Sequence, residues 1–182
     1  YWPLLENMLK REGLVRQHLN SYNSLIRHEL QEIVSEVGGI EVEAENKYRV
    51  RFGEIKVGKP RVVEVDGTEH DVYPMEARIR NLTYAAPLTL DMWVEKDGRK
   101  ILFLENVYIG DLPVMVKSDN CHLSQLSREE LIAVGEDPKD PGGYFIINGS
   151  ERVIVALEDL APNRIIVDVE EVGASATYRA KI

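Results

Sequence analysis

The sequence predicts an α+β fold: helices in the first third, followed by mixed, mostly antiparallel short strands and hairpins. Three observations carry that reading. Apolar residues recur at three- and four-residue steps from Val15 to Val37 and stop at Gly38-Gly39, the period of a helix with one buried face. From Lys47 onward the period drops to two, as in Lys47-Tyr48-Arg49-Val50-Arg51-Phe52, the pattern of a half-buried strand. The pairs Asp66-Gly67, Asp97-Gly98 and Asn148-Gly149 lie between apolar runs, and each suits a two-residue hairpin turn, which favours positive φ at its centre.

Tyr1 to Arg11 reads as a short helix, with Pro3 tolerated in the first turn and Gly13 as its stop. A longer helix begins at Leu14, its apolar face built from Val15, Leu19, Tyr22, Ile26, Leu30, Ile33 and Val37. His18 and His28 are ten positions apart, too far to share adjacent turns, and read as surface or half-buried positions. Ile55 to Val57 forms a second short strand, and Arg61–Val65 and Thr68–Tyr73 flank Asp66-Gly67. Pro74 opens one or two helical turns with Met75, Ile79 and Leu82 on one side and Glu76 and Arg80 at i,i+4 on another. Leu88–Val94 and Ile101–Tyr108 make the longest hairpin, and Leu112–Val116 a further short strand.

After a loop over 118–125, Ser127-Arg128-Glu129-Glu130 fits a capping box for a short helix to about Val134. Gly135 to Pro141 breaks regular structure and delivers the chain to its sharpest local signal, Gly142 through Val155. There Tyr144–Ile147 and Arg152–Val155 read as two buried strands folded back through Asn148-Gly149, with Gly142-Gly143 allowing a tight entry. Glu158–Asn163 reads as a turn, and Arg164–Val169 and Ala176–Ile182 as strands. No internal repeat, low-complexity tract or linker interrupts the 182 residues, which suit one domain.

Composition excludes several function classes. The formal net charge is −9, which argues against a free-standing nucleic-acid binder. No apolar run reaches the length of a membrane span, and the mixed, charged start is not a secretory leader. The non-Met start and the strand-like end suggest a piece of something longer. Cys121 alone cannot form an intrachain disulfide, which suits a reducing cytoplasm. Cys121-His122 and the scattered His18, His28 and His70 show no zinc spacing, so no metal site is expected.

Catalytic motifs are missing as well: there is no GxSxG, Walker A loop, GxGxxG or HExxH. The acidic pairs Glu158-Asp159 and Glu170-Glu171 lack the further ligands of a two-metal site and read as solvated turns or faces. Asn81-Leu82-Thr83 and Asn148-Gly149-Ser150 match the glycosylation triplet, but nothing points to secretion. Arg78 and Arg80 have two readings: ion pairs with Glu76 or its neighbours, as isolated surface charges usually make, or arginines held in place to grip a partner or phosphate.

Three stretches, in order, resemble the second-largest subunit of multisubunit RNA polymerases, called β in bacteria and B in archaea and eukaryotes. The first is Gly13-Leu14-Val15-Arg16-Gln17-His18-Leu19-Asn20-Ser21-Tyr22-Asn23. The second is Tyr73-Pro74-Met75-Glu76-Ala77-Arg78-Ile79-Arg80-Asn81-Leu82-Thr83-Tyr84. The third joins Ile109-Gly110-Asp111-Leu112-Pro113-Val114-Met115 to the run from Asp137 to Glu151. The G-E-D-P-K-D-P-G-G run, from Gly135 to Gly143, and Leu157 to Arg164 look archaeal.

The resemblance implies that residues 1–182 are a single partial domain, the protrusion, on one side of the enzyme's nucleic-acid cleft, without the lobe inserted later. It implies no catalytic residue and no cofactor in this chain, with magnesium held mainly by the largest subunit and zinc by later sequence. The expected partners are the other polymerase subunits including the largest, template DNA and the RNA–DNA hybrid through the complex, and general transcription and elongation factors. In bacterial members the strand matching Arg152-Val153-Ile154-Val155 lies beside the hybrid's path, close to the rifamycin pocket. Arg152, Val155 and Arg164 are therefore the candidate nucleic-acid-proximal residues, with a buried ion pair to Glu151 or Glu158 as the alternative for Arg152. Leu157 departs from the glutamine of many relatives, which puts a polar contact there in doubt.

Overall fold

The computed structural model describes residues 1–43, 47–159, 164–172 and 175–181. Helix α1 (Trp2–Glu12) closes on Gly13 at φ 72° and is followed by α2 (Arg16–Ser24). The chain then widens into one π-helical turn over Leu25–Glu29 before α3 (Leu30–Val37). The expected single helix is thus continuous in path but changes phase. A π turn holds an extra residue, which rotates everything after it by about 100° at 3.6 residues per turn. Gln31 and Val34 are half-buried as a result, while Ile33 and Val37, expected on the apolar face, are exposed.

Strand β1 (Gly39–Glu43) pairs antiparallel with β2 (Lys47–Val57). The two short strands expected at Lys47–Phe52 and Ile55–Val57 are one strand with a bulge between Phe52 and Ile55. The rotation of α3 explains how the bulge is tolerated. Gln31 Nε2 donates to Gly53 O at 3.1 Å, and Ile55 N–H donates to Gln31 Oε1 at 3.0 Å. One amide side chain satisfies both backbone groups that the bulge removes from the ladder.

The small hairpin of β3 (Arg61–Val63) and β4 (Glu69–Asp71) is shorter than expected. Its turn is not a two-residue one. Glu64 N–H donates to Thr68 O at 2.8 Å, Gly67 has φ 84°, and Asp66 is absent from the positive-φ residues. Asp66 instead accepts from Thr68 N–H at 3.0 Å, an Asx-type local bond that steadies a wider loop. Helix α4 (Pro74–Ile79) starts with Pro at its first turn, as expected.

Strands β5 (Ala85–Lys96) and β6 (Arg99–Pro113) form the long hairpin. Asp97 and Gly98, at φ 49° and 78°, form its two-residue turn. Of the strand expected at Leu112–Val116, only Leu112 and Pro113 are in β6; Val114 and Met115 belong to no strand and Val116 begins a turn. The four-stranded sheet has the order β1-β2-β5-β6, so β6 is an edge. A 3₁₀ turn over His122–Gln125 precedes α5 (Arg128–Ala133), whose capping box of Ser127 and Glu130 is present in both directions. Strands β7 (Phe145–Ile147) and β8 (Ser150–Arg152) follow, then β9 (Ile166–Val172) and β10 (Ser175–Lys181), paired with each other. Part of the expected Glu158–Asn163 turn lies outside the described residues, as does Ile182.

The core lies where β7 is stitched between two other segments. Tyr84 N–H donates to Ile146 O, Val114 N–H to Tyr84 O, and Val116 N–H to Tyr144 O, at 2.8–2.9 Å. Around this weave pack Ala77 of α4, Ala86, Val114, Val116, Cys121, Leu123, Leu131 of α5 and Ile146. Fully burying a side chain the size of Ile146 contributes about 1.5–3 kcal/mol. Gly142 and Gly143, at φ 72° and 82°, enter the weave where a Cβ would meet Val116 O at 2.5 Å and Val15 Cβ at 2.8 Å respectively.

Replacing Gln31 by Met keeps the length of the side chain but leaves Gly53 O and Ile55 N–H unpaired at a half-buried bulge. Denaturant unfolding of Gln31→Met is expected to show a loss of about 1–2 kcal/mol, whereas the same change at exposed Glu32 is expected to stay within about 0.5 kcal/mol.

Candidate nucleic-acid interface

The β7–β8 hairpin was expected to be two buried strands, and the structure corrects half of that. Phe145–Ile147 is buried to half-buried, but all three residues of β8 are exposed. Pairing ends at Arg152 opposite Phe145. Residues 153–158 belong to no strand, and Val153, Ile154, Val155 and Leu157 are all exposed. The reason is the position of the hairpin: β7 is covered by Tyr84 and Val116 on its other side, whereas β8 has no further strand against it among the described residues.

Asn148-Gly149 does form the turn, with φ 49° and 75°. Its tip is docked, since Gly149 N–H donates to Leu82 O at 2.9 Å. The hairpin is held from its other end by Arg78. Arg78 Nε donates to Glu151 Oε1 at 2.9 Å, Nη1 to Glu136 Oε2 at 3.1 Å and Nη2 to the Tyr144 hydroxyl at 2.5 Å. Tyr144 in turn donates to Asp140, and Glu136 accepts from Met75 N–H at 2.5 Å through its other oxygen. The guanidinium also lies 5.9 Å from the centre of the Tyr144 ring.

Burial alone would make Arg78 easier to deprotonate, but Tyr144, Glu136 and Glu151 outweigh it and push its pKa above the ordinary arginine value. At Tyr144, by contrast, burial and the bond to Asp140 act together and push the phenol up. Arg78 is therefore not a local surface pair with Glu76, because each of its three nitrogens bonds a more distant group of the fold. Sequence reasoning missed Glu136, Asp140 and Tyr144 as its partners. They lie in the recognisable motifs, but a pairing across 58 residues leaves no trace in one sequence.

Arg80 behaves as the i,i+4 reading expects, at 2.7 Å from Glu76 Oε1, and also reaches Glu64 Oε1 at 2.7 Å. His70 Nε2 joins at 3.2 Å from Glu76. Ligand atoms of Glu64, His70 and Glu76 lie within 4.8 Å of one another, a grouping the sequence did not suggest. The arginine bridges both carboxylates, so the cluster as folded is an ion-pair network tying the β3–β4 loop to α4. The hydrogen bond from Arg80 holds the Glu64 carboxyl below its usual range. At Glu76, burial opposes the same effect of Arg80 and His70 and loses to it.

Of the candidate residues, Arg152 ends β8 and Val155 lies on the exposed run that leaves the anchored hairpin. Val155 lines a groove of about 580 Å³ with Val153, Ile154, Phe145, Tyr22 and Leu25. Tyr22 and Phe145 form its floor edge to face, 5.5 Å apart, and the Tyr22 hydroxyl donates to Pro113 O at 2.7 Å. Arg152 is exposed at the head of this run, and the expected alternative fails: Glu151 is taken by Arg78, and no carboxylate among the described residues pairs with Arg152. Arg164 is also exposed but does not line the groove. No described helix is long and apolar enough to cross a membrane.

The site is thus an exposed run beside an apolar groove, leaving a locked hairpin on an acidic α+β body. The family model described as RNA polymerase beta subunit matches residues 13–166, and the chain belongs to that family. It is 55% identical over 181 residues to DNA-directed RNA polymerase subunit Rpo2 of Saccharolobus shibatae, covering 100% of this chain and 16% of that protein. It is 48% identical to subunit Rpo2N of Methanothermobacter thermautotrophicus over 180 residues, covering 99% and 34%, and 48% identical to Rpo2N of Methanocaldococcus jannaschii over 183 residues, covering 98% and 36%. The chain thus spans about a sixth to about a third of the length of these relatives.

Removing Arg78 leaves Glu136 buried without its cation. Arg78→Met is expected to cost about 3–5 kcal/mol in denaturant unfolding, with Arg78→Lys recovering only part, since an ammonium cannot serve three partners through a planar fork. Arg80 predicts a pH effect instead. The folded pKa values of Glu64 and Glu76 are depressed, so their contribution is present above the unfolded carboxylate pKa of about 4.3 and is lost as pH falls through the lower folded values. Stability measured from neutral pH into acid is expected to fall less steeply in Arg80→Met than in the wild type.

Proposed function

We propose that this chain is the N-terminal protrusion portion of the second-largest subunit of a DNA-directed RNA polymerase of archaeal type. It forms one side of the nucleic-acid cleft and contributes to DNA-templated RNA synthesis only within the assembled enzyme. The carrying observation is the family match across residues 13–166, in relatives whose names specify a DNA-directed RNA polymerase subunit. The organisms of those relatives agree with the archaeal character of the Gly135–Gly143 run.

The geometry supports a scaffolding role. Arg78 and the docked turn fix the hairpin, and the hairpin fixes where Arg152 and Val155 leave the body. In this reading Arg152 and Arg164 approach the phosphates of the hybrid or a neighbouring loop of the active centre. Val155 gives the path a dry wall. The residues here do not fit a catalytic magnesium or a zinc site: the one grouping of ligating side chains among the described residues already holds Arg80. Both metals belong to other parts of the complex, which works in the cytoplasm with the largest subunit and the remaining subunits as partners.

A second reading is a docking platform for general transcription or elongation factors, favoured by the row of exposed apolar side chains Ile101-Leu102-Phe103-Leu104 on β6. Pull-down of the assembled enzyme with Phe103→Asp separates the two: loss of factor binding with normal runoff synthesis favours the platform.

In the reconstituted enzyme, Arg152→Ala and Arg164→Ala are each expected to lower processivity and raise salt sensitivity in runoff transcription. Losing one phosphate contact changes the slope of log affinity against log salt by about one unit. Unchanged processivity and salt response in both variants would remove the contact role. The chain by itself is expected neither to incorporate nucleotides nor to bind duplex DNA at physiological salt, since its net charge is −9. A gel-shift titration and a primer-extension assay check this.

A further inference from the structure

The sequence contains one Asn-Gly pair, Asn148-Gly149, and the fold leaves little choice about it. Asn148 takes φ 49°, which asparagine tolerates better than most residues. A Cβ on Gly149 would lie 2.9 Å from Asn81 Cα and 3.1 Å from Arg78 O, so glycine alone fits. Asn-Gly is also the pair at which a side-chain amide is lost most readily. The backbone nitrogen after the asparagine, once deprotonated, attacks the side-chain carbonyl carbon. Ammonia leaves, and water opens the resulting succinimide to aspartate or isoaspartate. Glycine presents no side chain to hinder the attack.

We propose that Asn148 is a latent deamidation site held closed by the docked turn. Three contacts hold it. The N–H of Gly149, whose nitrogen is the nucleophile, donates to Leu82 O at 2.9 Å. The Thr83 hydroxyl donates to Asn148 Oδ1 at 3.2 Å and accepts from Asn148 N–H at 3.1 Å, so it fixes both the amide and its backbone. For the ring to close, Gly149 N must leave Leu82 O while the Asn148 amide leaves Thr83 and swings towards it. Both movements lift the tip off the segment after α4. Deamidation therefore runs through an opened hairpin, at the open-chain rate multiplied by the open fraction.

The product is not a silent change. Isoaspartate puts an extra methylene into the backbone between the paired residues Ile147 and Ser150, which spoils the turn that sets the register of the hairpin. A transient opening of this hairpin is thereby recorded permanently in the chain.

The test compares the protein in its native assembly with the same protein in guanidinium, at one temperature and alkaline pH, by peptide mapping with mass spectrometry. Loss of the Asn148 amide is expected to be more than about tenfold slower in the native material. In the denatured chain Asn148 is expected to react ahead of Asn20 and Asn23, each of which precedes a serine. Thr83→Val is expected to raise the native rate several-fold and leave the denatured rate unchanged. Equal native and denatured rates in the wild type, a measurement that needs no variant, overturn the proposal. An unchanged native rate in Thr83→Val removes the hydroxyl from it.

Discussion

The fold around the candidate interface depends on one guanidinium. Arg78 sits on a helix of six residues, too short to be stable by itself, and ties it to the 135–141 loop and to the β7–β8 hairpin. The loop has little apolar content of its own; its Glu136 is buried because the cation is there. A buried ion pair gives little net stability compared with apolar residues of the same shape, because desolvating both charges costs about as much as their attraction returns. What it does give is geometry. A planar fork bonded to three groups in different directions admits one arrangement of the three segments, and the run from Arg152 to Val155 leaves the body in the direction that arrangement sets.

The large sheet shows a related economy at its irregular points. The bulge in β2 is pinned by Gln31, and one of the bulges in β6 is pinned by Asp91, which accepts from Asn106 N–H at 2.8 Å. Strand β6 carries an extra residue relative to β5 at three places, between Leu88 and Thr89, Leu90 and Met92, and Val94 and Glu95. It is also an edge strand with exposed Ile101 to Leu104. A flat edge with those side chains would be a template for pairing with another chain, and repeated bulges blunt such an edge by twisting it and breaking its ladder. That leaves the side chains of β6 available to a partner while its backbone is a poor strand acceptor.

Much of this was legible in the sequence where one local rule decided the outcome. Ser127 and Glu130 form the capping box, Pro74 begins its helix, Asp97-Gly98 turns the long hairpin, and Glu76 and Arg80 pair at i,i+4. The failures share a cause. The phase shift at Leu25–Glu29 exists because α3 must present Gln31 to a bulge 22 residues away, and periodicity cannot register a tertiary demand. Asp66-Gly67 has the letters of a two-residue turn, but the Asp66 side chain bonds Thr68 instead and widens it. Val153, Ile154 and Val155 have the composition of a buried strand and are exposed, because apolar patterning says that a segment prefers cover without saying which chain supplies it. At the candidate interface the groove that Val155 lines has no signal in the sequence, and the ion pairs first weighed for Arg152 and Arg78 were both misassigned for want of long-range pairing information.

The net charge of −9 and a place beside nucleic acid are compatible once distance is considered. Exposed charges more than about 10 Å apart are largely screened at 0.1 M salt, so acidic residues elsewhere on the body do little to a phosphate near Arg152. What matters is the charge within that radius, and there Glu151, the carboxylate next to Arg152 in the chain, is engaged by Arg78, a cation that it shares with Glu136. With Glu151 occupied, Arg152 begins the exposed run as a cation without a described carboxylate partner. The same guanidinium that fixes the hairpin thus also takes up the carboxylate that stands next to Arg152 in the chain. The geometry of this edge is set by one residue that faces inward and need touch no ligand.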